Sequence, residues 1–132
     1  MKILALGGSG GMGRFAVHSL IKHPQVESIL VADLNESAAK KFASTLSEKT
    51  SGIGIDVTDK EALEKAMKGV DVVINTTGPF FKLAVPILEA AIETKTDYLD
   101  ICDDWEPPDI MFLLYDEAKA AGIAAILGLG AS

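Results

Sequence analysis

The most constraining stretch of this chain is the seven-residue run Gly7-Gly8-Ser9-Gly10-Gly11-Met12-Gly13, in which five positions are glycine. It follows an apolar segment, Lys2 to Leu6, that has the character of a buried strand, and it precedes residues spaced for a helix. A chain that turns from strand into helix within a few residues needs backbone angles that glycine adopts freely. Bare Cα atoms also let an anion approach the main chain. The unpaired amides and the positive dipole end of the helix that opens there stabilise a diphosphate without help from lysine.

Two glycine registers fit. Gly8, Gly10 and Gly13 give the GxGxxG spacing, with Gly8 for the tight turn, Gly10 for phosphate approach and Gly13 for helix–strand packing. Gly7, Gly10 and Gly13 give GxxGxxG, the spacing of extended short-chain dehydrogenases, and the letters do not choose between them. In either register Ser9, Gly11 and Met12 complete the phosphate-facing turn. A second apolar strand, Ser28 to Ala32, ends at Asp33, about 20 residues past Gly13, where a carboxylate can accept hydrogen bonds from both ribose hydroxyls of an adenine dinucleotide. Leu34 follows it at the same strand end and is counted with the cofactor-binding residues. Asp33 would repel a 2'-phosphate, and the single arginine of the chain, Arg14, lies in the first turn of the helix rather than after Asp33, so NAD is expected over NADP.

The remaining chain alternates in the same way. A first helix carries Met12, Phe15, Ala16, Ser19 and Leu20 on one stripe and ends before Pro24. Asn35 caps a helix from Glu36 to about Ser47 with Ala38, Phe42 and Leu46 on its inner side. Ser51 to Val57 is a third strand, and Thr58 with Glu61 forms a capping box for a helix over 59–68, with Glu61/Lys65 and Glu64/Lys68 pairs outside and Gly69 past its end. Val70 to Asn75 is a nearly continuous apolar strand, the mark of a strand covered on both faces. The turn Thr76-Thr77-Gly78-Pro79-Phe80 follows. A helix is expected from about Lys82, since proline is best tolerated in a first turn and Pro86 must lie there. Strand five is Asp97 to Ile101, a helix runs from Pro107 or Pro108 to Gly122, and strand six is Ile123 to Leu127.

Six strands alternating with helices predict an α/β fold of Rossmann type: a doubly wound parallel six-stranded sheet of order 3-2-1-4-5-6 between two helical layers. Ligands then lie outside the carboxyl ends of the strands, near Gly7 to Gly13, Asp33-Leu34, Asp56-Val57, Thr76 to Phe80, Asp100 to Trp105 and Gly128 to Ser132, with Asp56 and Val57 flanking the adenine.

Bulk properties bound the partners. At 132 residues, 48% hydrophobic and 23% charged, the chain is expected to be one globular domain. A net charge of −7 with no basic cluster beyond Lys40-Lys41 argues against nucleic acid. The one cysteine, Cys102, allows neither an internal disulfide nor metal-ligand spacing and suits a reducing cytoplasm. No signal peptide is expected at a terminus that is already strand, and the apolar stretch 120–131 is too short to cross a membrane.

Taken together, GGSGGMGR, INTTGPF after strand four, DYLDICDD after strand five and the terminal AGIAAILGLGAS resemble the N-terminal half of the saccharopine dehydrogenase-like oxidoreductases. The resemblance implies a dinucleotide domain followed by a second, substrate-binding and dimerising domain, hence a homodimer, and hydride transfer at the amine-bearing carbon of an amino acid. On this view the chain, ending at Ser132, is the cofactor domain and turns nothing over alone. Thr77, Gly78, Pro79 and Phe80 would wall the nicotinamide, Asp100, Asp103 and Asp104 could orient a substrate amine, and Trp105 would anchor packing. No catalytic residue is assigned, and His18 and His23 are given no role. Two alternatives stand beside it. One is a non-catalytic module that senses NAD. The other is a short-chain dehydrogenase-like reductase using the YxxxK pair Tyr115 and Lys119, but at about 1.5 Å per residue these fall roughly 10 and 16 Å below the ligand edge.

Overall fold

The computed structural model describes residues 1–7, 11–76, 80–100 and 116–126. Its elements are β1 (Lys2–Leu6), α1 (Gly11–Leu20), β2 (Ser28–Asp33), α2 (Glu36–Leu46), β3 (Thr50–Gly54), α3 (Lys60–Met67), β4 (Val72–Asn75), α4 (Phe80–Thr94), β5 (Asp97–Asp100) and β6 (Ala125–Ile126). Helix also covers 116–121. The strands form one parallel sheet of order β3-β2-β1-β4-β5-β6, the order expected for a doubly wound sheet, with the reversal between β1 and β4.

Strand β1 shows why the sheet is buried on both sides. Leu4 and Leu6 point to a face covered by Leu63 and Met67 of α3 and by Ile87, Leu88 and Ala91 of α4. Ile3 and Ala5 point to the opposite face, covered by Val17 of α1 and by Ala39 and Ala43 of α2. Side chains alternate across a strand, so a strand with both sets apolar must be covered twice. Fully burying one such leucine stabilises the fold by about 1.5–3 kcal/mol. Among the described residues, no helix is long and apolar enough to cross a membrane.

Several local expectations are displaced by one residue. Helix α1 buries Gly13, Ala16 and Val17, while Phe15 is 74% exposed. The true stripe is 13, 16, 17 and 20, and its small members let the helix lie close to the sheet. In α2 the buried residues are Ala39 and Ala43, with Phe42 and Leu46 half-buried at the margin. Gly52 of β3 explains the shift, because a Cβ there would stand 2.5 Å from the Ala39 carbonyl carbon and 2.5 Å from the Lys40 nitrogen. The backbone of α2 rests on that bare strand.

Asn35 caps α2 as expected, its side chain accepting from the Ala38 N–H at 3.0 Å. For α3 the cap is Asp59 rather than Thr58, accepting from Ala62 N–H at 3.2 Å. Thr58 is drawn away, since its hydroxyl and N–H both donate to Asp56 Oδ1, at 2.6 and 2.9 Å. The cation in the ion pairs of α3 is Lys60, 4.0 Å from Glu64 and 3.1 Å from Glu93 of α4. Helix α4 also starts earlier than Lys82 and carries Pro86 inside it. Pro86 is exposed, so the carbonyl four residues earlier that loses its N–H partner lies on the water-facing side. Strand β3 runs Thr50–Gly54 rather than Ser51 to Val57, β4 starts at Val72 rather than Val70 and β6 at Ala125 rather than Ile123, while Ile101 and Leu127, the expected ends of β5 and β6, lie outside the described residues.

Candidate functional site

At the carboxyl edge of the sheet the central strands leave in step. The Gly7 N–H donates to the Ala32 carbonyl at 2.8 Å, the Thr76 N–H to Leu6 at 3.0 Å and the Ile55 N–H to Asp33 at 2.8 Å. Gly7 has φ +75°, a left-handed conformation that favours glycine, and a Cβ there would meet Thr76 Oγ1 at 3.0 Å and the Thr76 carbonyl carbon at 3.2 Å. The Thr76 hydroxyl is turned back onto the Leu6 carbonyl at 2.8 Å. The exits of β1 and β4 are thereby pressed together at the point where strand order reverses, the place where open α/β sheets bind ligands.

Helix α1 opens at Gly11, a few residues past this contact, with no acidic residue in its first turn. Its first amides and dipole end carry no carboxylate from that turn, the condition an incoming anion requires. Gly13 is buried, as close packing of α1 demands. Gly8, Ser9 and Gly10 lie outside the described residues, as do the side chains of Gly11 and Met12. The register beginning at Gly7 nonetheless starts at a position that needs a glycine on geometric grounds.

One strand over, Asp33 closes β2 half-buried, and its Oδ1 accepts from the Asn35 N–H at 3.4 Å. The Asn35 Oδ1 is taken by the α2 cap, and the Asp33 carboxylate stands at the β2 exit. Leu34 beside it is 77% exposed, an apolar surface at the edge where an adenine would rest. The Arg14 guanidinium lies over the Phe42 ring, 5.2 Å from its centroid. Asp56 is used locally: the Thr58 hydroxyl and N–H hold its carboxyl below the usual carboxylate range. Val57 is half-buried against the cluster of Leu4 and Leu6. Thus Asp33, Leu34 and Thr76 sit at the ligand edge, while Asp56 serves the turn into α3.

Beneath the β4 exit, Asn75 is fully buried and donates through Nδ2 to the Tyr98 hydroxyl at 3.0 Å, with Tyr98 only 1% exposed. Sequence reasoning passed over this pair, and over Gly7 and Gly52 as contact glycines. The polar letter within VDVVIN was the available signal for Asn75, since a buried amide inside an apolar strand needs a partner.

Thr77, Gly78 and Pro79, the nicotinamide wall expected from the resemblance, lie outside the described residues, and Phe80 is described only as the backbone start of α4. So do Cys102, Asp103, Asp104, Trp105 and Tyr115. Lys119 is exposed on the helix over 116–121. His18 and His23 are exposed near the end of α1, the end far from the glycine turn. Among the described residues, no group of three His, Cys, Asp or Glu could hold a metal ion.

A family model described as saccharopine dehydrogenase NADP binding domain matches residues 3–126. The saccharopine dehydrogenase-like oxidoreductase of Rattus norvegicus is 30% identical over 95 residues, 72% of this chain and 22% of that protein. Eugenol synthase 1 of Petunia hybrida is 40% identical over 80 residues, 58% of this chain and 26% of that protein. Among solved structures, apo histidine-tagged saccharopine dehydrogenase (L-Glu forming) from Saccharomyces cerevisiae superposes with a TM-score of 0.79 at 27% identity, over 94% of this chain and 26% of that one. The chain spans about a quarter of the length of these relatives. The family description names NADP, so a nicotinamide dinucleotide is supported, while the preference for NAD expected from Asp33 finds no support there and the description leans to NADP.

Proposed function

The chain belongs to the saccharopine dehydrogenase NADP binding domain family, and from that premise we propose that it is the coenzyme-holding domain of an oxidoreductase acting at the amine-bearing carbon of an amino acid. The observation that carries the coenzyme part is the Gly7–Thr76 contact, which presses the β1 and β4 exits together at the switch point just before the glycine turn and the start of α1. A diphosphate there is held by backbone amides and the helix dipole. Asp33 takes the adenine ribose hydroxyls and Leu34 one face of the adenine. Thr76 carries the chain from β4 into Thr77, Gly78, Pro79 and Phe80, which border the nicotinamide and keep water from it.

When bound, the nicotinamide supplies the hydride acceptor or donor; this chain binds and orients it. The substrate, and the groups that move its amine proton, belong to a substrate-binding part of the kind implied by relatives about four times as long. A homodimer through that part completes the proposal. On the coenzyme itself, the Asp33 carboxylate favours NAD, because it repels a 2'-phosphate and accepts from a free 2'-hydroxyl.

Melting of the chain with and without nucleotide tests the reading. NAD raises the midpoint, and raises it more than NADP does. Equal shifts, or a larger shift with NADP, would remove the role given to Asp33, and no shift with either would overturn the coenzyme site. Reduction of NAD by secondary-amine amino acids, assayed with the product of the whole gene, tests the chemistry.

A further inference from the structure

Beneath the β4 exit lies a polar pair that the coenzyme reading leaves unused. Asn75 is the last residue of β4 and is fully buried, and its side-chain amide donates to the Tyr98 hydroxyl of β5 at 3.0 Å. The two are not register partners, since Asn75 stands opposite Leu6 of β1 and Asp100 of β5, and Tyr98 opposite Val73. Residues two apart on a strand share a face, so the bond runs diagonally from β5 toward the carboxyl edge of β4. It does so on the side of the sheet where Leu4, Leu6 and Val73 meet Ile87 and Leu88 of α4. A leucine and a phenylalanine would fill that apolar cluster without taking an amide and a hydroxyl out of water. What a buried polar pair supplies instead is direction, because a hydrogen bond holds only in a narrow range of distance and angle.

The next residue is tied on the other flank. Thr76 sends both its N–H and its hydroxyl to the Leu6 carbonyl of β1, at 3.0 and 2.8 Å, and lies against Gly7. Two consecutive residues thus fix the end of β4 sideways, Asn75 to β5 and Thr76 to β1. From Thr76 the chain runs on into the segment that borders the nicotinamide in the coenzyme reading. Asp33 and Leu34, which take the adenosine, leave from β2 on the far side of β1.

We propose that Asn75 and Tyr98 are positioning residues for the nicotinamide half of the coenzyme: their hydrogen bond sets the exit of β4 against β5, and with it the place of the ring, without touching the ring. The proposal rests on the coenzyme reading above and deepens it by dividing the site into an adenosine half that does not depend on the pair and a nicotinamide half that does.

NAD and ADP-ribose test this, since they differ only in the nicotinamide. The wild type, Tyr98→Phe and the double variant Asn75→Leu with Tyr98→Phe are titrated calorimetrically with each nucleotide, and each protein is melted in urea from the same preparation. The wild type is expected to bind NAD more tightly than ADP-ribose. Tyr98→Phe keeps the buried ring and removes only the hydroxyl; it weakens NAD about five- to tenfold, the scale of one hydrogen bond, and ADP-ribose less than about twofold. The double variant no longer leaves the Asn75 amide facing a missing Tyr98 oxygen, so its urea midpoint exceeds that of Tyr98→Phe, while its affinity for NAD stays as low. A pair that only held the core together would restore both at once. NAD affinity that recovers with the midpoint, equal losses for the two nucleotides in Tyr98→Phe, or no loss for NAD would overturn the proposal while leaving the coenzyme site standing. So would a wild type that binds NAD no more tightly than ADP-ribose. If the double variant does not fold, Tyr98→Phe alone decides by the ratio of its two losses. If neither nucleotide binds the wild type, the coenzyme reading falls and this inference falls with it.

Discussion

A Cβ placed on Gly7 would lie 3.0 Å from the hydroxyl oxygen of Thr76, and Gly7 itself has φ +75°. Two independent constraints thus meet at one residue: a conformation that other residues adopt at a cost, and a neighbour whose backbone is tied to Leu6 by the Thr76 N–H at 3.0 Å and by its hydroxyl at 2.8 Å. Gly7→Ala is therefore expected to destabilise the fold by about 1–3 kcal/mol, from the left-handed conformation and the crowding together. Nucleotide affinity should fall more than stability alone explains, because the exit of β1 into the glycine turn is displaced. Urea melts and calorimetry on the same preparation check both parts.

Gly52 and Gly69 form a pair that separates contact from composition. A Cβ on Gly52 meets the α2 backbone at 2.5 Å, whereas one on Gly69 meets nothing within 4 Å. Gly52→Ala should cost about 1–3 kcal/mol by pushing α2 off β3, and Gly69→Ala should lie within about 0.5 kcal/mol of the wild type. Equal effects in denaturant titrations would mean that α2 does not rest on β3 as described.

Helix α4 and the helix over 116–121 end in the same way with different residues. After α4, Lys95 N–H donates to Ile92 and Thr96 N–H to Ala91; after the later helix, Gly122 N–H donates to Lys119 and Ile123 N–H to Ala118. Both are Schellman ends, and the residue with positive φ is Lys95 at 56° in one and Gly122 at 79° in the other. Lys95→Gly is expected to raise stability by about 0.5–1 kcal/mol, since the left-handed penalty outweighs the entropy glycine adds to the unfolded chain. Gly122→Ala should lower it. Thermal midpoints of the two variants test the pair, and a loss in Lys95→Gly would contradict it.

On the outer seam of α3 and α4, the Glu64 and Glu93 carboxyls push each other's pKa in opposite directions. The Glu93 carboxylate raises the Glu64 pKa by accepting its hydrogen bond, with desolvation adding to the rise, while Glu64 and then Lys60 lower that of Glu93. Glu64 contributes stability that is fully present below the unfolded carboxylate range and is lost as pH rises through its raised folded value. Glu93 contributes stability that is present above that range and is lost as pH falls through its lowered value. Glu64→Gln keeps a donor to Glu93 without needing a proton. Its midpoint should therefore exceed the wild type's at neutral pH and converge with it near the carboxylate range. A constant offset at all pH values would show that the two carboxyls do not act on each other's pKa.

The large features of this molecule were readable because they rest on periodicities that burial on two faces enforces. The apolar letters of Lys2 to Leu6, the acid closing β2 and the Asn35 cap needed only local chemistry, and the strand order followed from alternation. The displaced details depend on contacts that no local pattern announces. Thr58 looks like a cap until Asp56, two residues back, takes its hydroxyl. Phe42 looks like the centre of a buried stripe until Gly52 pulls the neighbouring face of α2 onto the sheet. Pro86 looks like a first-turn residue until α4 is seen to start at Phe80, with the proline on its exposed side. At the site the same division holds: Asp33 and Leu34 were visible as letters, whereas the roles of Gly7 and the Asn75–Tyr98 pair required the third dimension.

The central claim is that main-chain amides bared between Gly7 and the opening of α1 receive a coenzyme's diphosphate. A crystal structure of the chain grown with NAD tests it most directly. The account predicts the diphosphate against those amides, with the adenine ribose on Asp33. A hollow filled by the protein's own atoms, with the nucleotide bound elsewhere or not at all, would contradict it.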